Sequence, residues 1–260
     1  KMLIPFSKYH GTGNDFIIID NRKLKLELSQ NQIGQWCNRR FGIGADGLIL
    51  LQMNERTVEM IYFNSDGAPS SMCGNGGRCF VDFAQSLNVL RDEGEFLAVD
   101  GMHPFKMVDG LVSLKMGDVS VVEKIGEAVY LDTGSPHYVQ IVNDVLEINL
   151  VNDARKIRYN GRFSEEGTNV NYVEMMDGIT HIRTYERGVE DETLSCGTGA
   201  TACAIAMHFL SLDTKKDMYI KVLGGKLRVS FKPNADGSYS DVWLTGPTER
   251  VFDGDIELPT

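Results

Sequence analysis

The 260-residue sequence contains no apolar run approaching the roughly 20 residues that a membrane-spanning helix needs. Its longest apolar stretches, such as Phe16–Ile19 and Leu48–Leu51, have the length of strands. It also lacks a basic run, and its formal net charge is −10. Because phosphate binding needs clustered Lys and Arg, these absences argue against a nucleic-acid surface. We therefore expect neither a nucleic-acid nor a membrane partner.

Close cysteine pairs are absent as well, although the chain has five cysteines, at positions 37, 73, 79, 196 and 203. Zinc sites and dithiol redox motifs use such pairs, so we predict no metal ion. An odd number of cysteines, with no recognisable secretory signal, indicates free thiols in a reducing compartment, and we expect a cytoplasmic protein. Cys37, Cys79 and Cys203 are expected to be buried, inert thiols.

The remaining two cysteines open a duplicated motif. Cys73–Gly76 and Cys196–Gly199 both read Cys-Gly-x-Gly, and each begins a stretch with a helical pattern. Tyr62 and Tyr185 both lie eleven residues before their cysteine, so the repeat extends upstream. The N–H groups and the dipole at a helix N-terminus favour the thiolate over the thiol. Two such thiols, one from each half, can serve one substrate from opposite sides.

The pattern of the whole chain predicts many strands and few helices, in mixed or antiparallel sheets of the α+β (mixed α/β) class. The helix after Cys196 has no strongly polar face, so we expect it to be buried. The helix after Cys73 carries Arg78, Asp82 and Gln85, so we expect one side of it to reach the surface. We infer a central helix wrapped by sheet in each half.

Local patterns also predict the position of one helix and one turn. A helix is predicted from about Ser29 to Arg40, with Ser29 as its N-cap, and Gly224-Gly225 predicts a two-residue hairpin turn.

Gly42–Gly47 matches G-x-G-x-x-G, but it follows a predicted helix and opens a strand, which is the wrong context for a dinucleotide site. The glycines after Cys73 and Cys196 instead suit a carboxylate bound at a helix start.

Several polar residues are candidates for the same site, although each has a common structural explanation. His137 follows the turn Gly134–Pro136, and a lone histidine is usually a satisfied polar group. Glu186 and Arg187 end a predicted strand shortly before Cys196, where a solvated ion pair is the ordinary case. Three asparagines lie at strand ends or turns, where asparagine is frequent for backbone reasons: Asn14, Asn64 and Asn169.

Taken together, these segments resemble the diaminopimelate epimerase family, in that family's order and over nearly the whole chain. The segments that carry the resemblance are Lys8–Phe16, Arg40–Gly47, Tyr62–Gly67, Met72–Gly76, Glu186–Gly188 and Ser195–Gly199.

The resemblance implies a PLP-independent isomerase that interconverts LL- and meso-diaminopimelate by proton transfer at the α-carbon, in lysine and peptidoglycan precursor biosynthesis. It implies no cofactor, and it suggests a homodimer. It also implies two pseudo-symmetric domains, each a largely antiparallel sheet around a central helix, with the active site between them. The expected N-terminal domain is 1–118 plus 250–260, because the C-terminal strand returns to it, and the C-terminal domain is 119–249.

Site residues carried over by position fall into two groups. The expected catalytic residues are the acid–base pair Cys73 and Cys196, flanked by His137 and Glu186. The backbones that would hold the reacting carboxylate are those of Gly74, Asn75, Gly197 and Thr198. Glu186 would also meet the α-amino group, and the other substrate contacts would be Asn14, Asn64, Asn169 and Arg187, with Arg187 on the distal carboxylate.

Three other functions remain open at this point. A proline racemase-like enzyme would use the same two-thiol chemistry without needing Arg187 and the asparagines. A thiol–disulfide redox protein would cycle Cys73 and Cys196 through a bridge. A non-catalytic protein that binds zwitterionic amino acids would tolerate loss of both thiols.

Overall fold

The computed structural model describes residues 2–258 and divides the chain into two compact units. The second unit is Lys115–Gly246, and the described residues before and after it form the first unit. Within residues 2–258, no helix combines the length and the apolar character that a membrane crossing requires.

The first unit is dominated by strands, with helices at three points. Its elements in chain order are β1 Leu3–Gly11, β2 Asn14–Asp20, α1 Asn21–Leu24, α2 Gln30–Cys37, β3 Gly47–Asn54, β4 Thr57–Asn64, α3 Gly74–Ser86, β5 Glu93–Ala98, β6 Gly101–Val108 and β7 Leu111–Lys115.

The second unit has a similar content, and one further strand follows it in the chain. The elements are β8 Val122–Ile125, β9 Ala128–Asp132, β10 Pro136–Ile141, α4 Leu150–Arg158, β11 Asn169–Met176, β12 Ile179–Glu186, β13 Asp191–Thr193, α5 Gly197–Phe209, β14 Asp217–Val222, β15 Gly225–Pro233, β16 Tyr239–Gly246 and finally β17 Glu249–Glu257.

Strand pairing follows the same order in the two units. In the first, β1–β2 is antiparallel, β2–β3 parallel, β3–β4 antiparallel, β4–β5 parallel, and β5–β6 and β6–β7 antiparallel. In the second, β9–β10 is antiparallel, β10–β11 parallel, β11–β12 antiparallel, β12–β14 parallel, and β14–β15 and β15–β16 antiparallel. Since α3 and α5 each precede the second parallel strand of their unit, the units are topological repeats.

Each unit encloses one central helix, as the sequence predicted. Helix α5 is buried along most of its length, and its Ala204, Ile205 and Met207 belong to a core shared with strands on several sides. Helix α3 places Phe80, Val81 and Ala84 in the equivalent core of the first unit. The predicted α+β architecture, with two pseudo-symmetric halves and a central helix in each, is confirmed.

The C-terminal strand returns to the first unit, as the resemblance implied. β17 runs antiparallel to β1, from Leu3 opposite Glu257 to His10 opposite Glu249, with an irregularity between Lys8 and Tyr9. β1 and β17 thereby lie side by side in one sheet.

Two local predictions were wrong by a few residues. Helix α2 ends at Cys37 rather than near Arg40, because Asn38 adopts extended backbone angles and its side chain accepts from the N–H groups of Arg40 and Phe41. The hairpin between β14 and β15 turns at Leu223-Gly224 rather than Gly224-Gly225, since Val222 already pairs with Gly225. Gly225, with φ +155, is the first residue of β15.

One side of α3, with Arg78, Asp82 and Gln85, was expected to reach the surface, and this holds for Asp82 and Gln85 but is wrong for Arg78. The Arg78 side chain is fully buried, whereas Asp82 and Gln85 on the same helix are partly exposed. Helical periodicity identifies a polar side of the helix but not the depth of each residue.

Replacing Ser29 by Ala should lower the free energy of unfolding of the first unit by about 1 kcal/mol. Ser29 forms both bonds of a capping box with Gln32, and alanine removes the side-chain acceptor. Urea unfolding followed by tryptophan fluorescence would measure the loss, because Trp36 is buried on the same helix. Ser29→Asp keeps an acceptor and serves as the control; an equal loss in both variants would contradict the capping explanation.

Candidate active site

Cys73 lies at the N-cap of α3, in the first unit. Its backbone is extended, with φ −101 and ψ 132, and the chain enters the helix at Gly74. The thiol is partly exposed and donates to Asn14 Oδ1 across 3.6 Å. The helix begins directly beside it, with the Gly77 N–H donating to the Cys73 carbonyl oxygen at 2.7 Å. The sulfur therefore lies where the N–H groups of the first helical turn and the helix dipole stabilise negative charge.

Asn14 is held in one orientation beside this thiol. Its Nδ2 donates to Asp46 Oδ2 at 2.8 Å, and its Oδ1 accepts from Asn75 Nδ2 at 3.2 Å. Because a carboxylate can only accept, Asp46 fixes which end of the Asn14 amide faces Cys73. Asp46 is itself bound by Arg39 Nη2 at 2.7 Å.

The same arginine anchors a second carboxylate of this network. Arg39 binds Asp15 through two nitrogens, at 2.9 and 2.6 Å, and Lys8 adds a bond at 2.6 Å. Burial alone raises the pKa of Asp15, but the bonds from Arg39 and Lys8 outweigh it and hold that pKa well below its usual range. Asp15 therefore stays ionised at neutral pH and links Lys8 and Arg39 next to Asn14.

The other predicted residues of the first unit differ in their surroundings. Asn75 is buried in the first turn of α3, where its Oδ1 accepts from Arg78 Nη2 at 2.8 Å. Asn64 ends β4 with an exposed side chain, and its backbone closes a turn with Gly67 and Ala68. Among residues 2–258, the Asn64 side chain has no hydrogen bond, so the structure leaves it outside the Asn14–Asn75 group.

Cys196 holds the matching position in the second unit, at the N-cap of α5. Its side chain is buried, with 7% exposure, and its sulfur accepts from the Gly199 N–H at 3.4 Å. A Cβ on Gly199 would lie 2.7 Å from Asn171 Nδ2 and 3.3 Å from the Cys196 sulfur. Glycine suits this position because a side chain would collide with Asn171.

Thr198 connects Cys196 to His137. The Thr198 hydroxyl lies 3.4 Å from the Cys196 sulfur and 2.9 Å from His137 Nε2. On the other side of the ring, Nδ1 lies 2.8 Å from Asn171 Oδ1, and Asn171 Nδ2 donates to Thr184 Oγ1 at 2.7 Å. Since the Asn171 oxygen can only accept, His137 carries its proton on Nδ1 and presents Nε2 as an acceptor to Thr198.

His137 is neutral in this environment. Burial lowers its pKa to about 4, although the bond to Asn171 opposes the shift. The ring is fully buried and therefore stays neutral at physiological pH, with Nε2 in contact with the Thr198 hydroxyl.

Asn169 and Arg187 form a second hydrogen-bonded group near this histidine. Asn169 Nδ2 donates to Ser135 Oγ at 2.8 Å, and its Oδ1 accepts from the Arg187 N–H at 2.8 Å. The exposed Arg187 side chain donates to the Glu166 carbonyl oxygen at 2.8 Å. Its guanidinium is therefore tied to the loop before β11.

Strand register places three of the predicted residues side by side. His137 on β10 lies opposite Asn169 on β11, and Val170 lies opposite Tyr185 on β12. The antiparallel register therefore brings Glu186, which is partly exposed, next to Asn169. His137, Asn169 and Glu186 thus lie side by side where three adjacent strands begin or end.

Sequence reasoning missed four residues of these networks, namely Asp46, Arg78, Asn171 and Thr184. Asn171 is the easiest to recover, because it lies two residues beyond Asn169 and shares its face of the strand. Arg78 lies four residues after Gly74 on one helix, which is also a detectable spacing. Asp46 and Thr184 reach their partners across the sheet, and nothing local indicates those contacts.

The described residues contain no cluster of His, Cys, Asp and Glu that could hold a metal ion, and all five cysteines are free thiols. Cys37, Cys79 and Cys203 are buried, as predicted. Gly42–Gly47 follows α2 and leads into β3, which confirms that it is not a dinucleotide loop.

The fold and the two cysteine-capped helices define a class of two-unit α+β proteins built on repeated sheets around central helices. Solved structures with this architecture include a phenazine biosynthesis protein of the PhzF family from Bacillus anthracis, with a TM-score of 0.75, 12% identity and coverage of 99% of this chain and 100% of that one. A probable proline racemase from Agrobacterium radiobacter has a TM-score of 0.66 at 13% identity, with coverage of 98% and 93%. These likenesses establish the fold.

Sequence comparison identifies the family within that class. The diaminopimelate epimerase family matches residues 6–122 and 129–251. A diaminopimelate epimerase of Flavobacterium psychrophilum is 48% identical over 255 residues, covering 96% of this chain and 98% of that protein. One of Chlorobaculum tepidum is 39% identical over 260 residues, covering 95% and 99%. This chain belongs to the diaminopimelate epimerase family, a family of isomerases.

Acid should destabilise the second unit through His137. The unfolded chain binds a proton at His137 near pH 6.5, whereas the folded chain binds it only near pH 4. The free energy of unfolding should therefore fall as pH drops from 6.5 to 4, by at most about 3 kcal/mol from this residue.

Urea unfolding at several pH values would measure this dependence. His137→Gln removes the titrating ring, so its free energy of unfolding should change less over the same interval. An equally steep dependence in that variant would assign the acid sensitivity to other groups.

Proposed function

We propose that this chain interconverts LL- and meso-diaminopimelate by two-base proton transfer at the α-carbon, without PLP or another cofactor. Family membership supports the substrate, because the relatives at 48% and 39% identity bear the name diaminopimelate epimerase. The observation that carries the mechanism is the matched placement of Cys73 and Cys196, each at the N-cap of the central helix of a repeated unit. The reaction would serve lysine and peptidoglycan precursor biosynthesis.

In the proposed mechanism, one thiolate removes the α-proton while the other thiol donates a proton to the opposite face. The roles exchange in the reverse direction, so each cysteine must act as both acid and base. Inversion without a cofactor needs a base and an acid on opposite faces of one carbon. The proposal therefore requires that both sulfurs face the same α-carbon when substrate is bound.

Charge that builds on the substrate carboxylate needs stabilisation by fixed donors. The backbone N–H groups of Gly74, Asn75, Gly197 and Thr198 lie in the first turns of α3 and α5, where helix N-termini bind anions. Removing one such donor from an enzyme site typically slows a reaction about 10²–10³-fold. These helix starts are thus the proposed carboxylate site.

The flanking residues would support proton transfer and recognise the rest of the substrate. His137 would act on Cys196 through the Thr198 hydroxyl, consistent with its neutral ring and its 2.9 Å contact with Thr198. Glu186 would meet the α-ammonium group. The distal ammonium and carboxylate would contact Asn14, Asn64, Asn169 and Arg187, of which Arg187 alone carries positive charge. A substrate without that distal end would leave polar groups unpaired and would be rejected.

Deuterium exchange tests this proposal directly. With LL-diaminopimelate in D₂O under reducing conditions, NMR should detect deuterium at one α-carbon of the meso product. Cys73→Ala and Cys196→Ala should each lower the rate of interconversion at least about 10²-fold, the usual scale for a general acid or base. Cys79→Ala and Cys203→Ala change the buried cysteine of the same helix, and are the matched controls.

The alternative functions give different outcomes in the same experiment. Exchange of proline but not diaminopimelate would indicate a proline racemase-like enzyme. Reversible formation of a bridge between Cys73 and Cys196 without any exchange would indicate a redox protein. Binding of diaminopimelate that survives loss of both thiols, again without exchange, would indicate a binding protein.

We also propose that the protein is a cytoplasmic homodimer. Five free thiols support a reducing compartment. The pair of strands β1 and β17 offers a surface for a second copy, because Leu3, Val251 and Phe252 are each about half exposed there. Side chains of β17 are exposed on both faces of the strand, which is unusual for a strand that bears valine and phenylalanine.

Sedimentation velocity would test the dimer. The wild-type chain should sediment as a dimer, and Val251→Asp should shift it toward the monomer by placing a charge in the apolar contact. Val99→Asp changes an equally apolar, more exposed valine of the same unit and should leave the dimer intact. A monomeric wild type, or a Val251→Asp protein that remains dimeric, would contradict the proposed surface.

A further inference from the structure

Arg78 is a buried cation that none of the functions above uses. Its side chain is fully buried on α3, and it makes two hydrogen bonds, from Nη1 to the Gly74 carbonyl oxygen at 3.2 Å and from Nη2 to Asn75 Oδ1 at 2.8 Å. Its Nε is buried without a hydrogen-bond partner in the part of the chain that the structure describes.

Among residues 2–258, no carboxylate forms an ion pair with this charge. Arg183, which is also largely shielded from solvent, binds Glu192 at 2.6 Å, whereas the hydrogen-bond partners of Arg78 are neutral oxygens. Guanidinium groups are almost never fully buried unless they are paired, because removing the charge from water is costly. An anion that is not a carboxylate of the first unit is therefore expected to balance it.

The position of Arg78 identifies where that anion would lie. Its two partners, Gly74 and Asn75, are the first two residues of α3, directly after the Cys73 cap. Burial lowers the pKa of Arg78, whereas negative charge on Cys79 or Cys73 raises it. This coupling is reciprocal, so a guanidinium held here favours negative charge on either sulfur.

Of these two sulfurs, only Cys73 is accessible. Cys79 is fully buried, and burial raises the pKa of its thiol, so it stays protonated. Cys73 is partly exposed. Asp82 is a further titratable group that interacts with Cys79, and on β1 the uncharged Gly11 lies beside Arg78. A Cβ on Gly11 would lie 3.1 Å from Arg78 Nη2, so glycine leaves room for the guanidinium.

In the second unit, a neutral residue occupies the position that corresponds to Arg78. Thr201 lies five residues after Cys196, as Arg78 lies five after Cys73, and it is also fully buried. Thr201 Oγ1 donates to the Gly197 carbonyl oxygen at 3.0 Å, which is the counterpart of the bond from Arg78 to Gly74. A neutral hydroxyl is thus sufficient to brace the first turn of the helix. The charge of Arg78 is an addition specific to α3.

We propose that Arg78 supplies fixed positive charge beneath the N-terminus of α3, where it stabilises the Cys73 thiolate and the carboxylate bound at Gly74 and Asn75. Its role toward the carboxylate rests on the proposed function, whereas its role toward Cys73 does not. Arg78 acts through the first turn of the helix and is a positioning residue rather than a catalytic one. The two thiols are thereby unequal, since Cys196 has the neutral Thr201 in the matching place.

Alkylation of the substrate-free protein tests the role toward Cys73. The rate of reaction with iodoacetamide would be followed against pH, with mass spectrometry resolving Cys73 from Cys196. In Arg78→Met, which keeps the volume but loses the charge, the midpoint of the Cys73 profile should rise by about one pH unit. The Cys196 profile should not move. Arg78→Lys retains the charge and should stay close to the wild-type midpoint.

Controls separate this effect from unfolding. Arg56→Met changes an exposed arginine in the turn between β3 and β4 and should leave both profiles unchanged. Far-UV circular dichroism would establish that each variant is folded, and Arg78→Gln replaces Arg78→Met if the latter does not fold. A Cys73 midpoint that stays at the wild-type value in a folded neutral variant would overturn the proposal, as would equal shifts at both cysteines.

Deuterium exchange tests the role toward the carboxylate. Once the wild-type protein exchanges diaminopimelate, Arg78→Met should lower kcat/KM at least tenfold, and Arg78→Lys should recover most of that loss. An unchanged kcat/KM in the neutral variant would overturn this part of the proposal. Absence of exchange in the wild type would instead reject the proposed function and leave the alkylation result standing.

Discussion

The first turn of a helix leaves backbone N–H groups without helical partners, and in this protein two such turns start inside the two cores. Helices α3 and α5 are buried along most of their length, so solvent has less access to these donors than at the start of a surface helix. Glycines at Gly74 and Gly197 let the backbone approach whatever lies there. A cysteine precedes each turn, and its sulfur shares the same field. The remaining structure of each unit places and supports that first turn.

The two units support their helix starts by different means. In the first, Arg39 and Asp46 orient Asn14 beside Cys73, and Arg78 braces the turn from within the core. In the second, the chain of contacts is neutral and runs from Cys196 through Thr198 to His137 and Asn171. The two units therefore share one topology, but charged residues surround the first helix start and neutral residues surround the second. In the proposed reaction the two thiols need not have identical surroundings, because each one would meet a different face of the substrate.

Strand and helix assignments followed from the sequence where one face of an element is buried and the pattern is regular. Helix α5 was expected to be buried because it is apolar all round, and the structure buries most of it. Helix α4 escaped prediction, since only Leu150 and Ala154 among its residues are buried and its surface is charged. The end of α2 was misplaced by three residues because Asn38 redirects the chain through its own side chain. Arg78 was misplaced in depth because helical periodicity gives the direction of a side chain but not what covers it.

The sequence by itself determined the family, the two cysteine-capped helix starts and most of the residues expected to surround them. Those features depend on short-range patterns, namely glycine after cysteine, helical periodicity and the spacing of the repeat. Only the tertiary structure decided how these residues are held: the neutral tautomer of His137, the fixed amide of Asn14 and the burial of Arg78 without a carboxylate. Each of these depends on partners brought from other strands or on the depth of the core, and distances of that kind arise only when the sheets close around their helices.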